Sequence, residues 1–414
     1  MTMARRHLLG WTVALLAAAH AAPAIAKVEG DTVTLGAALS LTGRYATEGQ
    51  QAKHGYDLAV KRINEMGGVK VGGKAYRLDI KYYDDESSNE RAASLAERLI
   101  AQDGIKFVLG PYSSPLTAAV APITEKYRIP MVEANGASRS LFTKGFRYLF
   151  AVLSTSDQYL SSAVELAAEK AKEEGRAPSS LRLALAMGDD SFSLDVRAGI
   201  LEAAKAHAMQ IVVDDKVPDG FTDISATLAR VKAVKPDLFL VSGHAKGAAT
   251  ATRQIAEAKV DVPMLAMTHC DAAQIAEKFP AAAEFTLCAS QWAPTLSYSD
   301  KWFGAAAKYD EAFKRAYNYD ATYQAAESSA AVLVFHDAFE RAQSFETDKV
   351  RDALAATNLA TFFGPVKFDE TGKNVAKPMV LFQVQKGDYL VVAPTKWATT
   401  KLVHPRPTWA KRGS

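Results

Sequence analysis

The 414-residue chain lacks most of the features that would connect it to a disulfide framework, nucleic acid or a membrane. It has two cysteines, Cys270 and Cys288, which are too few for a disulfide framework, although one bridge between them stays open. The formal net charge of +3 is too small for the basic face that nucleic acid requires. Beyond the N-terminal region there is no long apolar stretch, and we expect no membrane-spanning helix.

The N-terminus has the pattern of a secretory signal peptide. Arg5 and Arg6 precede an apolar stretch at 8–19, and an A-x-A sequence at 24–26 supplies a cleavage site. We therefore predict a signal peptide over 1–26 and a periplasmic mature protein, exported by the general or the twin-arginine route. Its removal lowers the formal net charge from +3 to +1, because two arginines are lost and no acid is lost.

Strand and helix patterns alternate along the chain in two series. The first series predicts strands over 32–39, 76–82, 106–110 and 130–134, with helices over 45–66, 92–100 and 115–127. The second predicts strands over 181–187, 210–217, 237–242 and 262–267, with helices over 193–207, 222–234 and 246–259. Such alternation favours an α/β fold with two doubly wound lobes, each built on a parallel sheet.

Ligands of such sheets lie beyond the carboxyl ends of the strands, which directs attention to the segments that follow them. One of these segments, Tyr112-Ser113-Ser114, follows a short strand and begins a helix. Backbone N–H groups and hydroxyls at a helix N-terminus bind a carboxylate well. Helix capping without any ligand is the structural alternative at this position.

Enzyme motifs are missing or incomplete. The segment 68–74 has the spacing of a phosphate loop, but Ala75 follows where a magnesium-binding hydroxyl is required, and a hairpin is the better interpretation. The acidic run at 84–86 suggests helix capping more than a divalent cation. His269, Cys270 and Asp271 are adjacent, but they lack the spacing of a metal site. We predict no catalytic residue, no cofactor and no metal, and hence no enzyme.

Five segments carry a resemblance to a known family. They are LSLTGRYATEGQQAKHGYDLAVKRIN at 39–64, GIKFVLGPYSSPLTAAVAP at 104–122, IPMVEANGAS at 129–138, FRYLFAVLSTSDQ at 146–158 and FFGPVKFDETG at 362–372. In this order and spacing, the chain resembles the leucine/isoleucine/valine-binding type of periplasmic binding protein, with the type I fold, from about residue 31 to about residue 390. The segments at 289–294 and 301–331 resemble a branch whose ligands extend beyond amino acids.

The resemblance implies a fold and a function. It implies two lobes joined by three crossings, with lobe I at 27–152 and 290–377 and lobe II at 153–289 and 378–414. The chain would be a monomeric solute-binding protein that hands a small carboxylate-bearing molecule to the permease and ATPase subunits of an ABC importer. A ligand-sensing subunit that feeds a signalling partner is the alternative.

The resemblance also assigns ligand-binding positions around the cleft. Ser114 matches the serine whose hydroxyl and amide hold the ligand carboxylate, and Glu48 lies in the first loop, which flanks the cleft. The expected ligand-binding residues are Tyr45, Tyr112, Ser113, Ser114, Gly136, Ala137, Ser138, Phe192, His244, His269 and Trp292.

One departure from the family leaves the ligand open. Members that bind amino acids place an acid after the strand that ends here at Met267, to grip the ammonium group, whereas this chain has Thr268 and His269. A second acid has no clear counterpart, because Asp157 aligns only with a one-residue shift. An aromatic or aliphatic carboxylic acid therefore stands beside a branched-chain or other amino acid as the expected ligand.

Overall fold

The computed structural model describes residues 28–411, so the predicted signal peptide lies outside the described residues. The first part of the chain forms seven strands and three helices. The strands are β1 (Val28–Glu29), β2 (Thr32–Leu39), β3 (Val69–Val71), β4 (Lys74–Asp84), β5 (Val108–Leu109), β6 (Met131–Glu133) and β7 (Leu149–Ala151). The helices are α1 (Ala46–Glu65), α2 (Asn89–Ala101) and α3 (Ser114–Tyr127).

The middle part repeats the alternation. Its strands are β8 (Arg182–Gly188), β9 (Gln210–Val217), β10 (Leu238–Ser242), β11 (Met264–Thr268) and β12 (Leu287–Ser290). Its helices are α4 (Gln158–Glu173), α5 (Ser191–Ala206), α6 (Ser225–Val234), α7 (His244–Glu257), α8 (Ile275–Lys278) and α9 (Pro280–Ala283).

The last part mixes long helices with short hairpins. Its helices are α10 (Ala306–Tyr317), α11 (Tyr323–Ala342) and α12 (Thr347–Ala355). Its strands are β13 (Ser299–Asp300), β14 (Gly304–Ala305), β15 (Asn358–Thr361), β16 (Gly364–Lys367), β17 (Val380–Gln385) and β18 (Asp388–Ala393). Short 3₁₀ helices cover Arg139–Thr143, Pro178–Ser180, Thr395–Trp397 and Trp409–Lys411.

Two seven-stranded sheets form the centres of two lobes. The first has the order β3-β4-β2-β5-β6-β7, with β1 paired to β2, and the second has the order β18-β17-β12-β11-β10-β8-β9. The central strands of both sheets run parallel, whereas β1, β3, β17 and β18 pair antiparallel with their neighbours. The predicted α/β fold class, with two lobes built on largely parallel sheets, is confirmed.

Helix α2 shows how the sequence pattern becomes structure. The hydroxyl of Ser88 caps the helix by accepting from the backbone N–H of Arg91 at 3.3 Å. Ala92, Ala96 and Leu99 recur at helical spacing and are buried against the first sheet. This is the apolar face from which the helix is predicted.

Three chain segments meet between the lobes and are hydrogen-bonded to one another. The Gln291 side chain accepts from the N–H of Ser154 at 3.1 Å and donates to its carbonyl oxygen at 2.9 Å. The Ser154 hydroxyl donates to the carbonyl oxygen of Lys377 at 2.5 Å, and Lys377 Nζ donates to the carbonyl oxygen of Gln291. All three side chains are buried, so the three segments pack as one unit.

The two cysteines form a disulfide, with Cα atoms 5.8 Å apart. Cys288 lies in β12, and Cys270 lies in a turn after β11. Because its sulfur is bonded, Cys270 cannot join His269 and Asp271 as a metal ligand. Within residues 28–411, no helix has the length and apolarity needed to cross a bilayer.

Candidate functional site

The carboxyl ends of the two sheets face each other, and the loops that follow the strands meet there. Tyr45 comes after β2 and Tyr112 after β5 in the first lobe. Phe192, His244 and His269 come after β8, β10 and β11 in the second lobe. The structure brings these five aromatic side chains together in the cleft, and all of them are buried.

The phenol of Tyr112 joins both lobes. Its oxygen lies 2.8 Å from His244 Nδ1, 3.0 Å from His269 Nε2 and 3.4 Å from Glu48 Oε1. Glu48 Oε1 also accepts from the backbone N–H of Ala245 at 2.7 Å. Burial raises the pKa of the Tyr112 phenol well above its usual value, so the phenol keeps its proton. It therefore donates one hydrogen bond and accepts others in this network.

The two histidines differ in the direction in which their pKa is shifted. Burial, together with the neighbouring His244, lowers the pKa of His269 well below its usual value, so His269 is neutral. Burial also opposes a charge on His244, but the Asp190 carboxylate more than compensates and the pKa of His244 is raised. Both histidines have a left-handed backbone, with φ of +54° and +59° respectively. A left-handed non-glycine residue is strained, and such strain is concentrated at functional sites.

The two serines that begin α3 have different surroundings. Ser114 Oγ accepts from the backbone N–H groups of Ala137 and Ser138, each at 3.0 Å, and so connects the loops that follow β5 and β6. Ser113 Oγ is buried and has no hydrogen-bond partner among the described residues. Its backbone is left-handed, with φ of +101°. Of the two serines at this helix start, Ser113 is therefore the one whose hydroxyl lacks a hydrogen-bond partner among the described residues.

Hydrogen bonds to the buried Glu133 side chain hold the loop that follows β6. The sequence did not indicate this role for Glu133. Its carboxyl group accepts from the N–H of Gly136 at 2.5 Å, from the Thr117 hydroxyl at 2.8 Å and from the N–H of Asn135. Burial raises its pKa to about 7. A Cβ on Gly136 would approach Thr117 Oγ1 to 2.4 Å, which explains glycine at this position. Ser138 Oγ lies 3.1 Å from Ser140 Oγ.

Four aromatic side chains, which we call the ring cluster, lie side by side in the cleft: Tyr159, Phe192, His269 and Tyr323. Ring centroids are 5.1 Å apart for Tyr159 and Phe192 and 5.1 Å apart for Phe192 and His269. Tyr323 lies 6.0 Å from His269 and 6.2 Å from Tyr159. Tyr323 Oη and His269 Nδ1 are buried and without a partner in the part of the chain that the structure describes. The cluster thus combines apolar faces with free polar atoms.

Tyr159 and Tyr323 were not among the predicted site residues. Each lies in the first turn of a helix, α4 or α11, that begins at the cleft. The available signal for Tyr159 was its position directly after the family segment at 146–158. Asp157 itself lies 3.7 Å from Arg139 Nε, on the seam between the lobes.

Trp292, which the resemblance places in the wall of the pocket, does not join the ring cluster. Its indole N–H donates to the carbonyl oxygen of Phe362 at 3.0 Å. Its ring packs edge-on against Tyr309 and Phe362, in the core of the first lobe. Trp292 also lines a separate cavity of about 540 Å³ with Asp310 and Tyr389. Packing decides its position, because this indole fills a gap between rings of its own lobe.

Side chains of the first lobe bind the second lobe directly, and we call these contacts the bridging pairs. They are Tyr45 Oη with Asp219 Oδ2 at 3.0 Å, Glu48 Oε1 with Ala245 N at 2.7 Å, Gln51 Nε2 with Ala272 O at 3.2 Å and Arg139 Nε with Asp195 Oδ1 at 2.7 Å. They describe a closed arrangement of two lobes around a cleft, as in a hinged trap.

Comparisons with known proteins agree with this architecture. The sequence profile of the family described as periplasmic binding protein matches residues 32–388. Leu/Ile/Val-binding protein homolog 8 of Brucella abortus is 23% identical over 384 residues, which cover 89% of this chain and 92% of that relative.

Two solved structures share the fold. LivJ of Streptococcus pneumoniae, a branched-chain amino acid transporter substrate binding protein in complex with isoleucine, has a TM-score of 0.75 at 22% identity. The match covers 90% of this chain and 100% of LivJ. A solute binding protein of an ABC transporter from Rhodopseudomonas palustris BisB5, in complex with 3,4-dihydroxy benzoic acid, has a TM-score of 0.75 at 19% identity. That match covers 92% of this chain and 99% of the other.

Proposed function

Because the chain belongs to the periplasmic binding protein family, we propose that it captures a small carboxylate-bearing molecule between its lobes and delivers it to an ABC importer. The chain is a substrate-binding protein of the branched-chain amino acid transporter type and not an enzyme. Its partners in this proposal are the permease and ATPase subunits of the inner membrane, and it acts as a monomer.

The free hydroxyl of Ser113 is the observation that supports a carboxylate group on the ligand. It is buried, it has no partner within residues 28–411, and it lies at the N-terminus of the 14-residue helix α3. The first N–H groups of a helix carry a partial positive charge and lack partners within the helix, which favours an anion. A ligand carboxylate would accept from the Ser113 hydroxyl and from these amides. Ser114 would act by holding the neighbouring loop in place.

The ring cluster supports an aromatic acid as the preferred ligand. Stacked and edge-on ring contacts contribute about 0.5–1.5 kcal/mol each beyond the burial of area. His269 occupies the position where the family resemblance places an acid for an ammonium group, and burial keeps it neutral. A neutral imidazole gives an ammonium group a weaker partner than a carboxylate does. Tyr323 Oη and His269 Nδ1 remain for a ring hydroxyl of the ligand.

We further propose the lobe boundaries of 27–152 with 290–377 and 153–289 with 378–414. The hydrogen bonds among Ser154, Gln291 and Lys377 support them, because one of these residues lies at or next to each proposed crossing. Opening of the cleft would be a rotation about these three segments.

The family is periplasmic, and we propose that residues 1–26 direct the chain there as a cleaved signal peptide. The disulfide between Cys270 and Cys288 supports this location, because such bonds persist in oxidising compartments and are rare in the bacterial cytosol.

A thermal-shift panel tests the proposal. Benzoate, 4-hydroxybenzoate and 3,4-dihydroxybenzoate are compared with leucine and isoleucine, each over a concentration series. An aromatic acid at about 100 times its dissociation constant should stabilise the protein by roughly 2.7 kcal/mol. The same acid should produce a much smaller shift with Ser113→Ala. A panel in which leucine or isoleucine raises the melting temperature and every plain carboxylic acid fails would contradict the aromatic preference.

A further inference from the structure

Three polar side chains of the second lobe converge at the rim of the cleft. Asp190, Asp219 and His244 follow the neighbouring strands β8, β9 and β10. Each offers one potential ligand atom, and these atoms all lie within 4.8 Å of one another. The group does not include Ser113, which carries the proposed carboxylate contact, but His244 Nδ1 lies 2.8 Å from the phenol oxygen of the adjacent Tyr112.

One of the two polar atoms of each side chain is held by a hydrogen bond to a neighbouring residue. Asp190 Oδ1 accepts from the backbone N–H groups of Phe192 and Ser193 at 2.8 and 3.1 Å. His244 Nδ1 lies 2.8 Å from the Tyr112 phenol oxygen. Outer partners of this kind orient metal ligands and select the histidine nitrogen that remains free.

Asp219 is held in the same way, from the opposite lobe. Its Oδ2 accepts from the Tyr45 hydroxyl at 3.0 Å and lies 3.2 Å from Arg44 Nη2. Arg44 carries the one cationic group in direct contact with Asp219 among the described residues, and it approaches the oxygen that faces the first lobe.

The second polar atom of each side chain has no hydrogen-bond partner among the described residues. Asp190 Oδ2, Asp219 Oδ1 and His244 Nε2 are buried and make no hydrogen bond to any residue that the structure describes. The side chains of Asp190 and His244 are 2% and 5% exposed, so water satisfies them poorly. His244 Nε2 does lie 3.5 Å from Asp190 Oδ1. This contact involves neither Asp190 Oδ2 nor Asp219 Oδ1, so both of these oxygens stay without a partner. Buried polar atoms without partners are destabilising, so the group is suited to a bound cation.

We propose that Asp190, Asp219 and His244 bind a divalent transition-metal ion such as Zn²⁺ or Mn²⁺. Two carboxylates balance the charge of such an ion, and His244 would bind it in the neutral form, releasing a proton as the ion binds. Imidazole ligands suit transition metals, whereas Ca²⁺ and Mg²⁺ select oxygen ligands throughout. Water would complete the coordination of the ion.

The ion would also favour the closed arrangement. All three proposed ligands belong to the second lobe, whereas Tyr45, Arg44 and Tyr112, which orient two of them, belong to the first lobe. Opening of the cleft would remove these outer partners, which contribute about 10–100-fold to metal affinity in comparable sites. The ion should therefore bind the closed form more tightly than the open form.

Metal titration of the untagged protein, treated with a chelator and then dialysed, tests the proposal without any organic ligand. Mn²⁺ is followed by electron paramagnetic resonance and Zn²⁺ by calorimetry. We expect one ion per chain. Asp190→Asn and His244→Gln each alter a direct ligand, so each should weaken binding by more than the roughly 10–100-fold that an outer partner contributes. Asp190→Asn keeps an oxygen that can cap α5, and circular dichroism melting verifies that both variants fold.

His207→Gln is the matched control. His207 Nε2 lies 2.7 Å from Glu165 Oε2 on the surface of the same lobe, so the same substitution removes a histidine from a single surface contact with a carboxylate. It should leave the metal affinity unchanged. Absence of saturable binding, or binding that survives both site substitutions, would overturn the proposal. If neither metal binds and an amino acid depends on Asp190 instead, the cation is the ligand's ammonium group, which refutes the metal site and leaves the transport function standing.

Discussion

Alanine at Ser113 and at Ser114, one at a time, should separate ligand binding from loop packing. Ser113→Ala removes a hydroxyl that has no partner among residues 28–411, so the free energy of unfolding should change by less than about 0.5 kcal/mol. Ser114→Ala removes the oxygen that accepts from the buried amides of Ala137 and Ser138. An amide left without an acceptor costs about 1–3 kcal/mol, so Ser114→Ala should destabilise the fold by at least that amount.

Ligand affinity should respond in the opposite order, with the direct loss of a ligand contact in Ser113→Ala. A hydrogen bond to a charged group contributes about 1.5–3 kcal/mol, which corresponds to roughly 10–150-fold in the dissociation constant. Ser113→Ala should therefore weaken the binding of an aromatic acid by that factor in calorimetry. Urea denaturation of the same preparations gives the free energy of unfolding for both variants.

Two outcomes would refute the assignment of roles to these serines. One is a Ser113→Ala protein that binds the acid as tightly as the natural chain. The other is a Ser114→Ala protein of unchanged stability that has lost its affinity. Either result would return the carboxylate contact to Ser114, where the family resemblance places it.

Three further predictions concern the fold. Reduction of the Cys270–Cys288 bridge should lower the free energy of unfolding by about 3 kcal/mol, because the cysteines are 18 residues apart; urea curves with and without reductant should therefore differ. Burial raises the pKa of Glu133 from 4.5 to about 7, so the folded protein holds this proton more tightly than the unfolded chain. The resulting contribution to the free energy of unfolding is complete below pH 4.5 and is lost as the pH rises through 7. Relative to Glu133→Gln, the natural chain should lose about 3 kcal/mol of stability between pH 4 and pH 8, and parallel pH profiles would contradict this. Gln291→Ala leaves the backbone of Ser154 without partners and should destabilise by about 1–3 kcal/mol in thermal melts, whereas an unchanged melting temperature would speak against a joined hinge.

The repeating elements were predictable because burial imposes a period on the sequence. The helix predicted over 45–66 is observed at Ala46–Glu65, and the strand predicted over 210–217 is observed at Gln210–Val217. The strand predicted over 106–110 shrinks to Val108–Leu109, because pairing with both neighbours extends over few residues there. An apolar run alone does not reveal how far the neighbouring strands reach.

The site was predictable only in part, for a different reason. The resemblance and the strand-end rule located Tyr112, His244 and His269, which the structure brings together. The different surroundings of Ser113 and Ser114 depend on a left-handed backbone, which the sequence pattern does not signal. Trp292 lies outside the ring cluster, and the sequence could not show this, since the side of a loop on which an indole packs is decided by the volume available in the core.

The bridging pairs separate how tightly this protein binds from what it binds. Gln51 and Arg139 join the lobes through Ala272 and Asp195, and neither belongs to the ring cluster. The apparent dissociation constant equals the intrinsic constant divided by the fraction of molecules in the closed form. A substitution at Gln51 or Arg139 that changes this fraction would therefore multiply the constants of all ligands by one factor. Their order of preference would stay the same, so affinity can change by substitution at the bridging pairs without any change in the pocket.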